Sequence, residues 1–266
     1  MTVDATLLDR LVSAPRLLVA LDFDGTLSPL EDDPMAARML PAARTAVDAL
    51  TALPCTWVAL VSGRSLSDLR IIAEHGDDSP ILLAGSHGAE YWTPQTGTVE
   101  PADDPVDVAL RDRLRAEAEH ATATLPGVWI EPKTFGFGVH TRKAAPPDAA
   151  KANAAVDEIV TSAAPHWRRR TGHNIVEYAF RDEGKDTAIA HLRELTGADA
   201  VLFAGDDITD EDAMRSLEDG DLGVHVGAVA STSADVVVDD IPAFAALLAR
   251  LAEERGARGG IDCEHV

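Results

Sequence analysis

The sequence has few cysteines and no long hydrophobic run. Only Cys55 and Cys263 occur among 266 residues, which excludes a framework of disulfides and is typical of a reducing cytoplasm. Every apolar run is shorter than the roughly 20 residues that cross a bilayer. The opening "MTVDATLLDRLVSAPR" lacks the basic and apolar segments of a secretory signal. We therefore expect a cytoplasmic protein without a membrane span.

Basic residues are also scarce. Lysine and arginine number 23 against 45 aspartates and glutamates, which gives a formal net charge of −22 and a pI of about 4.6. A field of this sign repels nucleic acids and anionic membranes, so we expect neither as a partner. It also repels phosphorylated metabolites, so a site for one would need a bound cation and a local cluster of basic residues.

The sequence does have an alternation of β-rich runs and helical patterns. Its hydrophobic fraction of 46% is enough for a sizeable core. This alternation predicts an α/β fold with a doubly wound, mainly parallel sheet. The nearly continuous apolar runs predict strands at 17–23, 56–62, 81–86, 200–206, 222–227 and 235–240. Amphipathic helices are predicted at about 41–53, 65–75, 184–196, 209–219 and 241–254.

The alternation is interrupted between about residues 100 and 182. The pattern there is helix, strand pair, helix, strand pair, which predicts an inserted module with its own antiparallel sheet. We therefore divide the chain into a core of 1–103 and 183–266 and an insert of 104–182. We expect the Gly-rich tail "ERGARGGIDCEHV" to be disordered.

The strand "LLVALDF" ends in Asp22 and Asp24, separated by one residue. Residues i and i+2 of a strand point to the same face, so both carboxylates project from the carboxyl end, where open α/β sheets bind ligands. Gly25 lets the backbone turn tightly near a ligand. Two adjacent carboxylates are tolerable if a divalent cation such as Mg²⁺ neutralises them.

Three further groups stand at strand or helix ends. Asp206, Asp207 and Asp210 follow the apolar strand 200–206. Residues 62–64, Ser-Gly-Arg, place a hydroxyl and amides at a helix start, which suits a phosphate. Lys185 begins a helix and supplies one positive charge. Together with the paired aspartates, these residues suit phosphoryl transfer through an aspartyl-phosphate.

"DFDGT", "SGR", the helix-leading Lys185 and "GDDITD" occur in the order of the four motifs of the haloacid dehalogenase-like phosphatase superfamily, which the chain resembles. The insert resembles the α/β cap of that superfamily. Closer still is a resemblance to the trehalose-6-phosphate phosphatases, in "LVSGRSLSDL", "GSHGAEYW", "WIEPKTFGFGVHTR", "NIVEYAF" and "GDDITDEDAM". The chain departs from that family's pattern at Thr141, at residues 179–181 and at Asp186.

The resemblance implies a role for each motif residue. Asp22 attacks phosphorus, Asp24 protonates the leaving sugar oxygen and then activates water, and Ser62 and Lys185 bind the phosphoryl oxygens. Mg²⁺ is held by Asp22, the backbone carbonyl of Asp24, Asp206 and Asp207; Asp207 and Asp210 either support the metal or cap a helix. The predicted substrate-binding residues are Gly25, Gly63, Arg64, His87, Glu131, Lys133, His140, Arg142 and Glu177.

Several of these residues have alternative interpretations. Arg64 could be a structural helix-start residue, and His87 could be a core histidine. The polar residues of the insert could be a solvated face, and Arg168, Arg169 and Arg170 fit an exposed rim because consecutive strand residues alternate faces.

The resemblance implies a monomeric, Mg²⁺-dependent enzyme that hydrolyses trehalose 6-phosphate, with a cap that closes through hinges near 101–105 and 181–184. Sucrose phosphate and mannosyl-3-phosphoglycerate are alternative substrates. A phosphosugar mutase and a catalytically inactive sugar-phosphate sensor are alternatives of other classes.

Overall fold

The aliphatic runs of the sequence form strands in the computed structural model, which describes residues 5–99, 103–172 and 174–258. The strands are β1 (Leu17–Leu21), β2 (Thr56–Val61), β3 (Leu82–Gly85), β4 (Glu90–Thr93), β5 (Gly97–Val99), β6 (Trp129–Lys133), β7 (Gly136–His140), β8 (Arg168–Gly172), β9 (Ile175–Ala179), β10 (Ala200–Gly205), β11 (Leu222–Val226) and β12 (Val236–Val238). The helices are α1 (Ala5–Ser13), α2 (Pro41–Thr51), α3 (Leu66–Ile72), α4 (Pro105–Thr122), α5 (Pro146–Ala163), α6 (Lys185–Thr196), α7 (Glu211–Ser216) and α8 (Ile241–Arg258).

The chain divides into two compact units. The first consists of Met1–Glu100 and Glu183–Val266, and the second of Pro101–Asp182. Within the described residues, no helix combines the length and the apolar character that a membrane span requires.

The first unit contains an eight-stranded sheet in the order β12-β11-β10-β1-β2-β3-β4-β5. The pairs from β12 to β3 are parallel, and β4 and β5 are added antiparallel. Successive residues of β1 enter different cores: Val19 packs in a cluster with α2 and α8, and Ala20 in a cluster with α6 and α7. Burial on both faces explains why the strands read as continuous apolar runs. The predicted doubly wound α/β fold is confirmed.

Two parts of this unit were not predicted from the sequence. Helix α1 buries Leu8, Leu11 and Val12, whose spacing is that of an amphipathic helix. The hairpin of β4 and β5 reverses at Gly97, which has a φ of 66° and so adopts the left-handed conformation that glycine tolerates.

One expectation about the end of the chain is corrected. Residues 254–258 belong to α8 rather than to a disordered tail, because Arg255 is buried and donates to the carbonyls of Leu11, Ala14 and Cys55. Residues 259–266 lie outside the described part of the chain. Cys55 is disulfide-bonded, and one such bond does not make the framework of disulfides that the composition excludes.

The second unit has the predicted order of helix, strand pair, helix, strand pair. Its antiparallel sheet has the order β6-β7-β9-β8. One face, which includes Phe137, Val139 and Tyr178, packs with Leu114 of α4 and Val156 of α5. The other face is polar, because the alternate positions of β6 and β9 carry charged side chains.

Candidate active site

Three carboxylates meet at the carboxyl edge of the large sheet. Asp22 follows β1 and Asp206 follows β10, and these strands are neighbours, with Leu21 opposite Ala204. Asp210 lies in a 3-10 turn just beyond Asp206. One oxygen of each carboxylate lies within 4.8 Å of the other two. The arrangement supplies hard oxygen ligands of the kind that Mg²⁺ prefers.

Lys185 joins this cluster from the first residue of α6. Its Nζ lies 2.6 Å from Oδ1 of Asp22 and 2.5 Å from Oδ1 of Asp210. The lysine is only 4% exposed, so its charge is directed wholly into the site. The structure thus places the lysine directly against the first aspartate; phosphoryl binding by Lys185 stays a prediction.

Three carboxylates surround a single lysine, and repulsion between them adds to burial in raising the pKa values of Asp22 and Asp206. Burial raises the pKa of Asp22 to about 7, although Lys185 opposes the rise and Asp210 adds to it. Burial and the charge of Asp22 raise the pKa of Asp206 to about 9. Burial alone would lower the pKa of Lys185. The negative charges of Asp210 and Asp22 outweigh burial and hold this pKa above its ordinary value. A divalent cation would relieve the remaining repulsion, so this donor set fits Mg²⁺.

The cluster contains Asp210 where the prediction had placed Asp207. The carboxylate of Asp210 accepts hydrogen bonds from the backbone N–H groups of Asp206 and Asp207, at 3.1 and 3.0 Å, as well as the lysine charge. Asp207 is the residue before the 3-10 turn and does not belong to the three-carboxylate group. Sequence spacing could not distinguish the two, because both follow the same strand. Ligation by Asp207, and by the backbone carbonyl of Asp24, stays a prediction.

Gly25 and Thr26 form a tight turn against the cluster. Gly25 has a φ of 79°, and a Cβ at this position would lie 1.9 Å from Oδ2 of Asp206. Thr26 donates from Oγ1 to Oδ2 of Asp22 at 3.3 Å. A glycine is therefore required here both by backbone conformation and by the space that the Asp206 carboxylate occupies.

Asp24 is held by Arg64 rather than by the cluster. The Nε and Nη2 atoms of Arg64 both donate to the Asp24 carboxylate at 2.6 Å. This is the bidentate geometry in which a guanidinium fixes the plane of a carboxylate. Arg64 had been predicted to bind substrate; the structure shows this further contact, and substrate binding by Arg64 stays a prediction.

Ser62, Gly63 and His87 form the third part of the site. Ser62 follows β2 and is 2% exposed, and its Oγ accepts from the backbone N–H of Arg64 at 3.2 Å. The ring of His87 lies over Gly63, where a Cβ would be 2.6 Å from Nε2. The structure thus brings this histidine to the predicted phosphate-binding loop.

The polar residues of the second unit are brought together on its open sheet face. Lys133 Nζ lies 2.5 Å from Glu177 and 3.4 Å from Glu131, and His140 Nε2 lies 2.8 Å from Glu131. Despite burial, the charges of Glu177 and Glu131 hold the pKa of Lys133 above its ordinary value. Arg142 lies beyond β7, which ends at His140 and is followed by a turn from Thr141 to Ala144; substrate binding by Arg142 stays a prediction.

Two residues were missed, Trp129 and Glu90, and a third, Arg170, had been assigned to an exposed rim. Trp129 stacks on His140 with ring centroids 4.5 Å apart. Arg170 lies opposite Glu177 in the β8–β9 ladder, and strand alternation could have placed it there. Glu90 accepts from the N–H group of Leu66; a lone glutamate in "GSHGAEYW" carries no periodic signal for such a contact.

Comparisons with known proteins give matches over most of the chain. The model of the trehalose-phosphatase family matches residues 20–241. The trehalose-phosphate phosphatase of Mycobacterium avium (strain 104) is 36% identical over 210 residues, covering 76% of this chain and 51% of that protein. The chain spans about half the length of the curated relatives it matches.

Solved structures with the same fold cover nearly the whole chain. The C-terminal domain of trehalose-6-phosphate phosphatase from C. albicans superposes with a TM-score of 0.80 at 21% identity, over 93% of this chain and 96% of that one. A haloacid dehalogenase-like hydrolase from Bacteroides thetaiotaomicron gives a TM-score of 0.63 at 15% identity, over 89% and 99% of the two chains. The fold is that of the haloacid dehalogenase-like hydrolases.

Proposed function

Because the chain belongs to the trehalose-phosphatase family, we propose that it hydrolyses trehalose 6-phosphate to trehalose and inorganic phosphate. One observation carries the chemistry. The Asp22 carboxylate lies against the buried Lys185 and belongs to a group of three carboxylates whose spacing fits a metal ion. This provides a nucleophile and a lysine charge beside it, to which a bound cation would add the further positive charge that an anionic phosphate ester requires.

In the first step an oxygen of Asp22 forms a bond to phosphorus, and the bond between phosphorus and the sugar oxygen breaks. Asp24 gives its proton to the leaving oxygen. Lys185 and the Ser62 hydroxyl bind the phosphoryl oxygens. Mg²⁺, held by Asp22, Asp206 and Asp210, would supply positive charge that offsets repulsion between the carboxylate and the phosphate.

In the second step water replaces Asp22 on phosphorus. Asp24, now ionised, takes a proton from the water, whose oxygen forms a bond to phosphorus as the bond to Asp22 breaks. The bidentate contact of Arg64 with Asp24 supports this assignment, because an acid and base must be held in one orientation to serve both steps.

Substrate binding is assigned to residues of both units. In the second unit Glu131, Lys133, His140, Arg142 and Glu177 supply donors and acceptors for the sugar; in the first unit the substrate-binding residues are Gly25, Gly63, Arg64 and His87. The charged network around Lys133 supports the first group, since a sugar requires both donors and acceptors at close spacing. Cap closure through hinges near 101–105 and 181–184 is part of the proposal; residues 101 and 102 lie outside the described residues.

A cytoplasmic monomer that binds neither nucleic acid nor membranes completes the proposal. The net charge of −22 supports the proposed lack of binding to nucleic acids and to membranes, because a field of this sign repels both. Size-exclusion chromatography with light scattering tests the monomer.

Phosphate release from a panel of sugar phosphates, with and without Mg²⁺, tests the activity. We expect Mg²⁺-dependent release from trehalose 6-phosphate and little from sucrose phosphate, mannosyl-3-phosphoglycerate or monosaccharide phosphates. Activity confined to a monosaccharide phosphate would refute the disaccharide assignment, and transfer between sugar positions would identify a mutase. The variant Asp22→Asn should fold and release no phosphate, because an amide oxygen is too weak a nucleophile; normal turnover by it would exclude Asp22 as the nucleophile.

A further inference from the structure

The turn between β3 and β4 has a strained backbone. Ser86 and His87, at Ser86–Gly88, have φ values of 49° and 59°. Two consecutive residues with side chains in the left-handed region cost free energy, and such strain persists only where surrounding contacts enforce it. The contacts of this turn therefore indicate what the strain serves.

On one side the turn is bonded to the loop of residues 62–64. The backbone N–H of Ser86 donates to the carbonyl of Arg64 at 2.6 Å, and that of His87 donates to the carbonyl of Ser62 at 2.9 Å. The His87 ring fills the space over Gly63. The carbonyls at both ends of the loop are thus fixed by this turn.

On its other side the turn packs on the start of α6. A Cβ at Gly88 would lie 2.8 Å from Cβ of Ala188 and 3.3 Å from the carbonyl oxygen of Gly184. Gly184 immediately precedes Lys185. The same turn therefore contacts both elements that carry the proposed phosphoryl-binding groups, the 62–64 loop and the lysine at the start of α6.

A buried carboxylate holds the turn to helix α3. Glu90 is 5% exposed, and its Oε2 accepts from the N–H of Leu66 at 3.2 Å and from the hydroxyl of Ser86 at 2.5 Å. Leu66 is the first residue of α3, two positions after Arg64. One oxygen atom thus links the strained turn to the far end of the phosphate loop.

We propose that Glu90 is a positioning residue for phosphoryl binding, which holds the turn Ser86–Gly88 in its strained conformation and thereby fixes the 62–64 loop relative to Lys185. The proposal rests on the proposed function, because it assumes that Ser62 and Lys185 bind one phosphoryl group. Glu90 touches neither the substrate nor the reacting atoms in this role; it acts through the turn.

Calorimetric titration with orthophosphate in the presence of Mg²⁺ tests the proposal, because the fitted Kd does not depend on the fraction of inactive protein. In Glu90→Ala the loop and the lysine lose their common support, and we expect the Kd to rise about tenfold, the scale on which misplaced binding groups act. In Glu90→Gln the amide oxygen can take the place of Oε2 and accept from both the Leu66 N–H and the Ser86 hydroxyl, so the Kd should stay close to that of wild type, well under the roughly threefold rise expected for the loss of one contact.

Asp221→Asn is the matched control. Asp221 is also buried and accepts from the backbone N–H groups of Val201 and Glu218, at 2.9 and 2.8 Å. It also pairs with Arg193 in the last turn of α6. Val201 lies at the amino end of β10, and Arg193 lies at the end of α6 opposite Lys185. We expect this variant to have a lower Tm and an unchanged orthophosphate Kd. An equal loss of phosphate affinity in Asp221→Asn would overturn the proposal, since binding would then merely follow stability.

An unchanged Kd in folded Glu90→Ala also overturns the proposal. If that variant does not fold, Ser86→Ala decides, because it removes only the hydroxyl contact; we expect a rise of about threefold, and no rise refutes the role of Glu90. If wild type hydrolyses trehalose 6-phosphate while no variant changes the Kd, the inference alone fails. If wild type neither binds orthophosphate nor hydrolyses the ester, the proposed function fails with it.

Discussion

Removal of divalent cations should make the stability of the first unit fall as the pH rises. A carboxyl group whose pKa is higher in the folded protein than in the unfolded chain keeps its proton longer when folded. Its contribution to stability is therefore lost between the unfolded and the folded pKa. For Asp22 and Asp206 this window begins near pH 4 and ends at about 7 and about 9.

The size of the effect follows from the Asp22 value. Each pH unit within the window costs about 1.4 kcal/mol for one group, so Asp22 alone should lower the free energy of unfolding by about 3 kcal/mol between about pH 5 and about pH 7. Asp206 acts in the same direction. Bound Mg²⁺ keeps the carboxylates ionised in the folded state and should abolish most of this fall.

Urea unfolding followed by circular dichroism, in EDTA and in Mg²⁺ across this pH range, measures both curves. The difference between the two curves cancels the contributions of titrating groups outside the cluster. One such group is His75, whose pKa is lowered by burial and which therefore stabilises the fold as the pH rises. Asp206→Asn should flatten the EDTA curve, because one of the repelling carboxylates is gone. Parallel curves in EDTA and Mg²⁺ would refute the assignment of the cluster as a cation site.

Three further changes test separate parts of the site. Asp24→Asn should lower kcat for trehalose 6-phosphate about a hundredfold to ten-thousandfold with no change in Tm beyond a few degrees; steady-state kinetics would expose a smaller loss. Gly25→Ala should cost about 1–2 kcal/mol of stability through its positive φ and weaken Mg²⁺ binding at least tenfold through the clash with Asp206, so an unchanged calorimetric Mg²⁺ affinity contradicts the geometry. Lys133→Met should raise KM for trehalose 6-phosphate about tenfold and leave the orthophosphate Kd unaltered; a parallel loss in both would place Lys133 in phosphate binding instead.

The strands and the site edge could be predicted because their signals are local. The strand of Leu17–Leu21 is continuously apolar and ends in two aspartates, and parallel strands necessarily bring their carboxyl ends to one edge. The proximity of Asp22 and Asp206 follows from that rule, whereas Lys185 begins helix α6 and was assigned to the site from the resemblance of its motif. The order of elements in the second unit was predicted for the same reason, since its helix and strand periods are distinct.

The remaining features depend on contacts between distant residues. Whether Asp207 or Asp210 joins the cluster is decided by a 3-10 turn of three residues, and no period in the sequence marks such a turn. The pairing of Arg64 with Asp24 spans 40 positions. The positive φ of His87 is a feature of the backbone, and the residue type alone does not predict it.

The adjacency of β1 and β10 has a consequence for folding. Thr26 and Asp206 touch across 180 positions of the chain, so the halves of the site are joined by a long loop whose closure is entropically costly. Prior folding of the second unit, which lies inside that loop, would shorten the flexible part of the chain to be closed. We therefore expect the site to assemble late, so that Mg²⁺ affinity during refolding arises together with completion of the large sheet rather than before it.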